Sequence, residues 1–562
     1  MNSPEVIPGF GSSVSKRLGY DAIVVLQGWD GAEDSFWHWV SSEGGDDGAY
    51  RIDLAELNGL LHELRLALPG VRMEDSSADI PAPPPGFEWT PNADLAMVLR
   101  VGDGALGDPK SESELSRRLS ELLLPGEFLA RLRELVVAHP DQGSDKRVCL
   151  RIGSSAASAV VPWGLLRTRD PAMPDERLLE LVDVVDMPPL VERDSNSALR
   201  APSWEDVRHL PPLYVIDPRP DFAETQVPIR RVLGVQSHRH WRDRVESART
   251  QGTPAGRSTG WVDEPVTRND LSDHLRGADA PTDRSVRSAR SRLLYVGHVS
   301  TVEAQLPEGL PPERTVELEL FEHHKYYGVV SEAASTPREG PAPAPGSARE
   351  PIVRGLSAND LLLGTCAYDE HCSDLKQHLH PPTAAPGEPD ERRQLALEYE
   401  FGADGPVFPP CVTVTDGRPE PIEGRIIWPM PLRVGIVACA SGTDLESLEP
   451  FGLVTAVLEG GAEHVIATRW TLLVDAAAKL YAAIRRTGYS GTDEFDQLAR
   501  AVDDALTEDD LVRAANRYQR RRLAVWRSRP SFQTSPALWG SLAIFHAPRR
   551  GPLDPVTLRE SF

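Results

Sequence analysis

Short apolar runs, widely spaced along the chain, leave few folds open to this sequence. Each run has the length of a buried strand, and most of the segments between them carry a helical pattern. This alternation is typical of a parallel α/β sheet, whose strands are covered on both faces and therefore read as continuous apolar stretches. The runs are residues 147–152, 213–216, 292–297, 432–438 and 464–468. We expect an α/β fold with a parallel-sheet core flanked by helices.

The N-terminal region is expected to form a hairpin followed by helices. Residues 21–26 are apolar, and residues 35–40 alternate bulky and polar side chains, as a half-buried strand does. Asp53 precedes leucines at helical spacing and is expected to cap a helix, and residues 111–123 and 127–138 are amphipathic.

Two segments are expected to be long loop insertions. Residues 332–351 and 370–425 are rich in proline and poor in apolar residues, and the whole chain contains 50 prolines. Irregular segments of this length inside a domain are usually surface loops.

The charge balance argues against two classes of partner. Lys and Arg total 60 and Asp and Glu total 84, which gives a net charge of −24. A protein that binds nucleic acid or an anionic membrane surface needs a basic face, so we expect neither partner. Five cysteines in 562 residues do not form a disulfide framework. Together with the lack of a signal-like start or a membrane-length apolar run, this predicts a cytoplasmic protein.

Two chemically active residues directly follow predicted strands. His298 follows residues 292–297, and Cys439 follows residues 432–438. The carboxyl ends of parallel strands meet at one edge of a sheet, where functional groups usually lie. A histidine there can activate a thiol that is mostly protonated at neutral pH. The alternative is a buried cysteine and a histidine that only caps its strand.

Six segments, in order along the chain, resemble one family. They are Val161-Pro-Trp-Gly-Leu-Leu166, Leu294-Tyr-Val-Gly-His298, Arg354-Gly-Leu-Ser-Ala-Asn-Asp-Leu361, Ile436-Val-Ala-Cys-Ala-Ser-Gly442, the helix and strand of residues 452–470, and Ser535-Pro-Ala-Leu-Trp-Gly-Ser-Leu-Ala-Ile544. In this order they resemble the CHAT domain, a caspase-like cysteine peptidase family related to separase.

The resemblance implies a domain organisation and an activity. It places a CHAT domain at residues 20–548, with an N-terminal part at 20–140, a catalytic core at about 141–548, and tails at 1–19 and 549–562. It implies an endopeptidase that cuts a partner protein, often encoded nearby, in a bacterial stress, defence or cell-death response. A further partner protein or signal for activation is also expected.

The family pattern assigns roles to individual residues. His298 is the expected general base and Cys439 the nucleophile, and the backbone N–H groups of Val299 and Cys439 form the oxyanion hole. The family has glycine where this chain has Val299, and a β-branched residue resists unusual backbone dihedrals. An inactive, partner-binding pseudo-protease is therefore the alternative function, and fast alkylation of Cys439 relative to a buried Cys149 would discriminate between the two.

The residues that would bind a basic P1 side chain are less well defined by the pattern. The resemblance implies cleavage after Arg or Lys. Asp475, as the carboxylate, and Trp470 are candidates for the S1 pocket, and Asp444 and Glu446 are further candidates whose alternative is a solvated surface position. Asp475 is equally suited to be the N-cap of a helix over residues 476–485.

No metal or cofactor is predicted. Cys366, Cys372, His378 and His380 could supply zinc ligands, but their spacing is unusual for a zinc site and the segment is proline-rich, which favours a loop. The histidines of residues 237–240 are expected to be solvated.

Overall fold

A computed structural model describes the secondary structure of most of the chain. The described residues are 19–44, 47–69, 92–143, 145–188, 202–218, 232–250, 259–266, 268–277, 288–304, 313–321, 353–357, 361–362, 412–415, 418–421, 424–438, 452–489, 491 and 493–547. The predicted insertion at 332–351 lies outside them, and so does most of the one at 370–425.

Sixteen strands occur within these residues. They are β1 (Ala22–Asp30), β2 (Asp34–Ser41), β3 (Gly48–Asp53), β4 (Val148–Gly153), β5 (Asp183–Asp186), β6 (Leu213–Ile216), β7 (Gly260–Val262), β8 (Arg292–Val296), β9 (Val299–Ala304), β10 (Glu313–Phe321), β11 (Val353–Ser357), β12 (Val412–Thr415), β13 (Arg418–Pro421), β14 (Arg433–Val437), β15 (His464–Thr468) and β16 (Leu542–His546).

The helices of the same residues lie mostly between these strands. They are α1 (Leu54–Leu66), α2 (Asn92–Asp103), α3 (Pro109–Leu123), α4 (Gly126–Ala138), α5 (Leu178–Leu181), α6 (Trp204–Val207), α7 (Val235–Thr250), α8 (Arg268–Arg276), α9 (Gly424–Ile427), α10 (Gly452–Glu459), α11 (Asp475–Arg485), α12 (Glu494–Thr507), α13 (Leu511–Ser528) and α14 (Pro536–Trp539).

The chain divides into two compact units. The first comprises Met1–Ser195, Gly435–Val454 and Glu463–Phe562, and the second comprises Asn196–Val434 and Thr455–Ala462. Parallel strand pairs occur in both units, and helices accompany the strands, so the predicted α/β fold is confirmed.

The sheet of the first unit has an antiparallel hairpin at one edge, followed by parallel strands and by an antiparallel pair of β15 and β16. Its order is β3-β2-β1-β4-β5-β16-β15-β14. Strands β1 and β2 are antiparallel, whereas β1 pairs with β4, and β4 with β5, in parallel. Along β2, buried Trp37 and Trp39 alternate with less buried Phe36 and His38, which confirms the predicted half-buried strand.

The helices of the first unit begin where the sequence predicts. The Asp53 carboxylate accepts the N–H groups of Ala55 and Glu56 at the start of α1, which satisfies two donors that have no partner within the helix. Asp108 caps α3 through the N–H of Ser111. These caps fix the helix starts against a core in which the leucines of α1, α3 and α4 are buried.

The second unit contains a small parallel sheet. Strand β6 lies between β8 and β7, and both neighbours run parallel to it. The register places Ile216 level with Val296 and Val262, so the residues that follow these three share one edge. Strands β9, β10 and β11 form a separate antiparallel sheet, and β12 and β13 form a hairpin.

One further property concerns membranes. Over the described part of the chain, no helix combines the length and the apolar character that a membrane span requires.

A buried ion pair in the first unit gives a stability prediction. Arg177 donates to Glu112 at 3.0 Å, and both side chains are 3% exposed. Burial raises the pKa of Glu112, and the Arg177 guanidinium opposes that rise. We expect Arg177→Met to lower the free energy of unfolding by about 3–5 kcal/mol, because it leaves a buried acid without its partner. Urea unfolding measures this loss.

The control for this prediction lies on the same helix. Arg117 pairs with Glu114 at 2.6 Å on the exposed face of α3. Exposed pairs contribute little, so Arg117→Met should leave the unfolding midpoint nearly unchanged. Equal losses in the two variants would contradict this account of the buried pair.

Candidate functional site

His298 lies at the carboxyl end of a buried strand. Residues 293–296 of β8 are buried, Gly297 follows, and the His298 side chain is half-buried. The hydroxyl of Tyr295 donates to the main-chain carbonyl of His298 at 2.6 Å. A side chain from the strand itself thus fixes the peptide that carries the predicted base.

Gly297 leaves room for this contact. A Cβ added there would lie 2.9 Å from the Tyr295 hydroxyl oxygen and 3.0 Å from Cδ of Pro218. Any side chain at 297 would therefore push against Tyr295 or Pro218. The glycine before His298 is a packing requirement of this strand end.

Strand β14 ends at Val437, and one residue, Ala438, separates it from the predicted nucleophile. Ala438 is completely buried, and its carbonyl accepts a hydrogen bond from the hydroxyl of buried Thr468 at the end of β15. Cys439, Asp444 and Glu446 lie outside the described residues, so their roles stay predictions. The structure describes only the start of the turn that would carry the thiol.

Val299, the predicted oxyanion residue, begins strand β9. It lies opposite Leu318 of β10 in an antiparallel pair. Its role as an oxyanion-hole donor stays a prediction.

Asp475 is the first residue of helix α11. Val474 occupies the N-cap position, so the alternative interpretation of Asp475 as the cap is wrong. The Asp475 carboxylate, 16% exposed, lies 2.6 Å from Nζ of Lys479 and accepts the hydroxyl of Tyr489. Burial and this hydrogen bond raise the pKa of Tyr489. A basic P1 side chain that reached Asp475 would compete with Lys479.

Trp470, the other S1 candidate that the structure describes, is a core residue. Its side chain is 1% exposed, and its indole N–H donates to the carbonyl of Ala537 at 2.7 Å. Its role in substrate binding stays a prediction.

Cys149 is the buried thiol that the sequence predicts. It lies within β4 with no exposed surface. Burial raises the pKa of its thiol, and the nearby carboxylate of Asp183 adds to the rise. At neutral pH the group therefore stays protonated and unreactive.

The prediction for residues 237–240 is wrong for one histidine. His238 is 1% exposed, and its Nε2 lies 2.8 Å from Oδ2 of Asp217, at the end of β6. The sequence shows an aspartate after a strand and a histidine on a polar helix. Nothing local indicates that they meet.

Metal ligands do not cluster in the part of the chain that the structure describes. No group of three or more His, Cys, Asp or Glu side chains there could hold an ion. Cys366, Cys372, His378 and His380 lie outside that part, so the choice between a zinc site and a loop stays open.

Comparison with known proteins gives only distant likenesses. No protein-family model and no curated protein matches the chain. Two crystal structures of the Saccharomyces cerevisiae separase–securin complex, at 3.0 and 2.6 Å resolution, are similar to 96% and 95% of it, with TM-scores of 0.38 and 0.36 and identities of 8% and 9%. The chain spans 31% of the length of each matched chain. Likenesses with TM-scores below 0.5 do not assign this chain to a family.

The hydroxyl of Thr468 yields a second prediction. Thr468→Val keeps the side-chain shape but removes the donor to the buried Ala438 carbonyl, and should cost about 1–3 kcal/mol of unfolding free energy. Thr468→Ser retains the hydroxyl and is the matched control. Amide hydrogen exchange of a peptide containing Ala438 should accelerate in the Val variant and remain near wild type in the Ser variant. Acceleration in both would show that the hydroxyl does not anchor this strand end.

Proposed function

We propose that the chain is a cysteine endopeptidase in which His298 and Cys439 form the catalytic dyad. One observation supports this more than any other: in sequence, His298 and Cys439 each lie two residues beyond the end of a buried strand, β8 at Val296 and β14 at Val437. In both places the main-chain carbonyl at the strand end accepts a side-chain hydroxyl, from Tyr295 and Thr468 respectively. Fixed backbone at strand ends is what a preorganised catalytic group needs.

In the proposed mechanism, His298 first accepts the proton of the Cys439 thiol. The thiolate attacks the scissile carbonyl carbon, and the carbonyl π bond breaks to give an oxyanion. His298 then donates its proton to the leaving amine as the C–N bond breaks, which leaves an acyl-enzyme. Water, deprotonated by His298, hydrolyses the thioester and restores the thiol.

Backbone donors are proposed to stabilise the oxyanion. The N–H groups of Val299 and Cys439 would serve, because backbone dipoles that are fixed before the reaction do not have to reorient when charge develops. Val299 supplies an N–H as glycine would. Its branched side chain only restricts the backbone conformations that can aim it.

The substrate is proposed to be a partner protein, cut after Arg or Lys. Asp475 is the candidate carboxylate, and Trp470 and Asp444 are the other S1 candidates. An acid in a partly desolvated pocket rejects neutral side chains, because they would leave it unpaired. By the resemblance, the setting would be a cytoplasmic stress, defence or cell-death response in bacteria, with the target encoded nearby and with a partner or signal for activation.

A covalent probe tests the catalytic proposal. An acyloxymethyl ketone with arginine at P1 should label Cys439 and leave Cys149 unlabelled, because the latter thiol is buried and its pKa is raised. Mass spectrometry of the intact chain and of its peptides locates the adduct. We expect Cys439→Ala and His298→Ala to abolish both labelling and the cleavage of a peptide library, since the two residues act as a unit.

The matched control is Cys149→Ala, which removes the buried thiol and should leave labelling intact. A wild-type protein that folds but neither reacts with the probe nor cleaves any peptide would contradict the peptidase proposal. It would support the partner-binding pseudo-protease instead.

Specificity has a separate test at Asp475. Asp475→Asn should lower the preference for Arg or Lys at P1 at least about tenfold, while alkylation of Cys439 stays unchanged. Lys479→Met removes the competing cation, 2.6 Å from the carboxylate, and should strengthen the preference. Positional-scanning peptides measure both effects.

Asp496→Asn is the control for this specificity test. Asp496 forms an ion pair of the same i, i+4 kind with Arg500, on helix α12. Its substitution should not alter P1 preference. Unchanged preference in Asp475→Asn would assign the pocket to Asp444 or Glu446.

A further inference from the structure

A buried histidine–aspartate pair closes the end of β6. The side chains of Asp217 and His238 are 4% and 2% exposed, and Nε2 of His238 lies 2.8 Å from Oδ2 of Asp217. The same carboxylate accepts the N–H groups of Val232 at 3.2 Å and Leu233 at 3.3 Å. Three donors therefore hold one carboxylate.

These bonds hold Asp217 in an uncommon backbone conformation. Its φ is +50°, in the left-handed region that residues other than glycine, asparagine and aspartate rarely adopt. In that conformation its N–H donates to the carbonyl of Val296 at 2.5 Å. Uncommon backbone conformations that the surroundings fix in this way are concentrated at functional sites.

The pair is connected to His298 through two residues. Because Ile216 is level with Val296, Asp217 is level with Gly297. Pro218, next along the chain, lies against Gly297 on the side shared with the Tyr295 hydroxyl. That hydroxyl in turn binds the His298 carbonyl. A shift of Asp217 would therefore displace the end of β8 that carries the imidazole, through its hydrogen bond to the Val296 carbonyl and through Pro218 against Gly297.

We propose that Asp217, held by His238, is a positioning residue for His298. It touches neither substrate nor the reacting atoms, and it acts through Val296 and Pro218 on the backbone of the base. This inference rests on the proposed function. It adds the residue pair that would hold the base in place. A displacement of the His298 side chain by about 1 Å would compromise catalysis.

The same sheet edge supplies a matched control. Asp263 ends β7 as Asp217 ends β6: it is 5% exposed, its φ is +58°, and its N–H donates to the carbonyl of Ile216 at 3.0 Å. Oδ2 of Asp263 lies 3.4 Å from Nη2 of Arg242. It differs from Asp217 in lying one strand further from His298 and in having a half-exposed arginine beside its carboxylate instead of a buried histidine.

The first measurement is steady-state cleavage of an Arg-P1 peptide by the full chain. Asp217→Asn and His238→Leu should lower kcat by about tenfold to a hundredfold with KM within about twofold, since the base is misplaced and substrate binding is not. His238→Gln, which keeps a donor for Asp217, should restore most of kcat. Asp263→Asn should retain wild-type kcat.

Thermal unfolding of each variant separates positioning from stability. If Asp217→Asn does not fold, the kcat of His238→Leu is compared with the kcat of His238→Gln, and this comparison decides the question. Equal kcat losses in Asp217→Asn and Asp263→Asn, or a loss in His238→Gln as large as in His238→Leu, would overturn the proposal.

A second measurement does not depend on activity. Hydrogen exchange at the imidazole C2 position, resolved by mass spectrometry, reports the environment of His298 in each variant. Asp217→Asn should change the exchange rate of His298 at least about twofold, and Asp263→Asn should not. An inactive wild-type protein would end the peptidase proposal and leave this result to decide the positioning role. An unchanged His298 rate in Asp217→Asn would end the positioning role alone.

Discussion

The register of parallel strands is the constraint on which the rest of this structure depends. Parallel strands run in the same direction, so their carboxyl ends, although far apart in sequence, lie at the same edge of the sheet. In the second unit, β6, β7 and β8 bring Asp217, Asp263 and Gly297 to one level, with His298 directly after the last. In the first unit, β14 ends at Val437, directly before Ala438, and its neighbour β15 ends at Thr468, which binds the Ala438 carbonyl. A chain with this register collects polar groups at strand ends whether or not they react.

What distinguishes these strand ends is that their backbone groups are held by side chains. Tyr295 binds the carbonyl of His298, and Thr468 binds that of Ala438. The Asp217 carboxylate accepts three donors. Each contact removes conformational freedom at a position where a small displacement would change chemistry. Such support is what separates a catalytic constellation from a coincidence of residue types.

Sequence alone could predict several elements, and some of them with nearly correct bounds. The predicted strand 292–297 is one residue longer than β8, and the predicted strand 464–468 coincides with β15. Asp53 caps α1 as expected. Apolar runs and capping residues are local signals, so local reasoning finds them. His298 was also found in this way, because it follows a recognisable strand.

Long-range polar partners could not be predicted. His238 reaches Asp217 from a helix with no local sign of burial, and Arg469 pairs with Asp186 at 2.6 Å across 283 positions of sequence. These contacts depend on how elements pack, which residue spacing does not encode. Asp475 failed as a cap for a related reason, since the helix begins one residue earlier than its pattern indicates.

The pH dependence of Cys439 alkylation tests the central claim, that His298 activates this thiol. In the wild-type protein, the rate of reaction with iodoacetamide should follow a thiolate that forms well below the ordinary cysteine pKa of about 8.5, because an imidazolium stabilises it. In His298→Ala, the profile should shift up to that ordinary value. Identical profiles in the two proteins would contradict the claim.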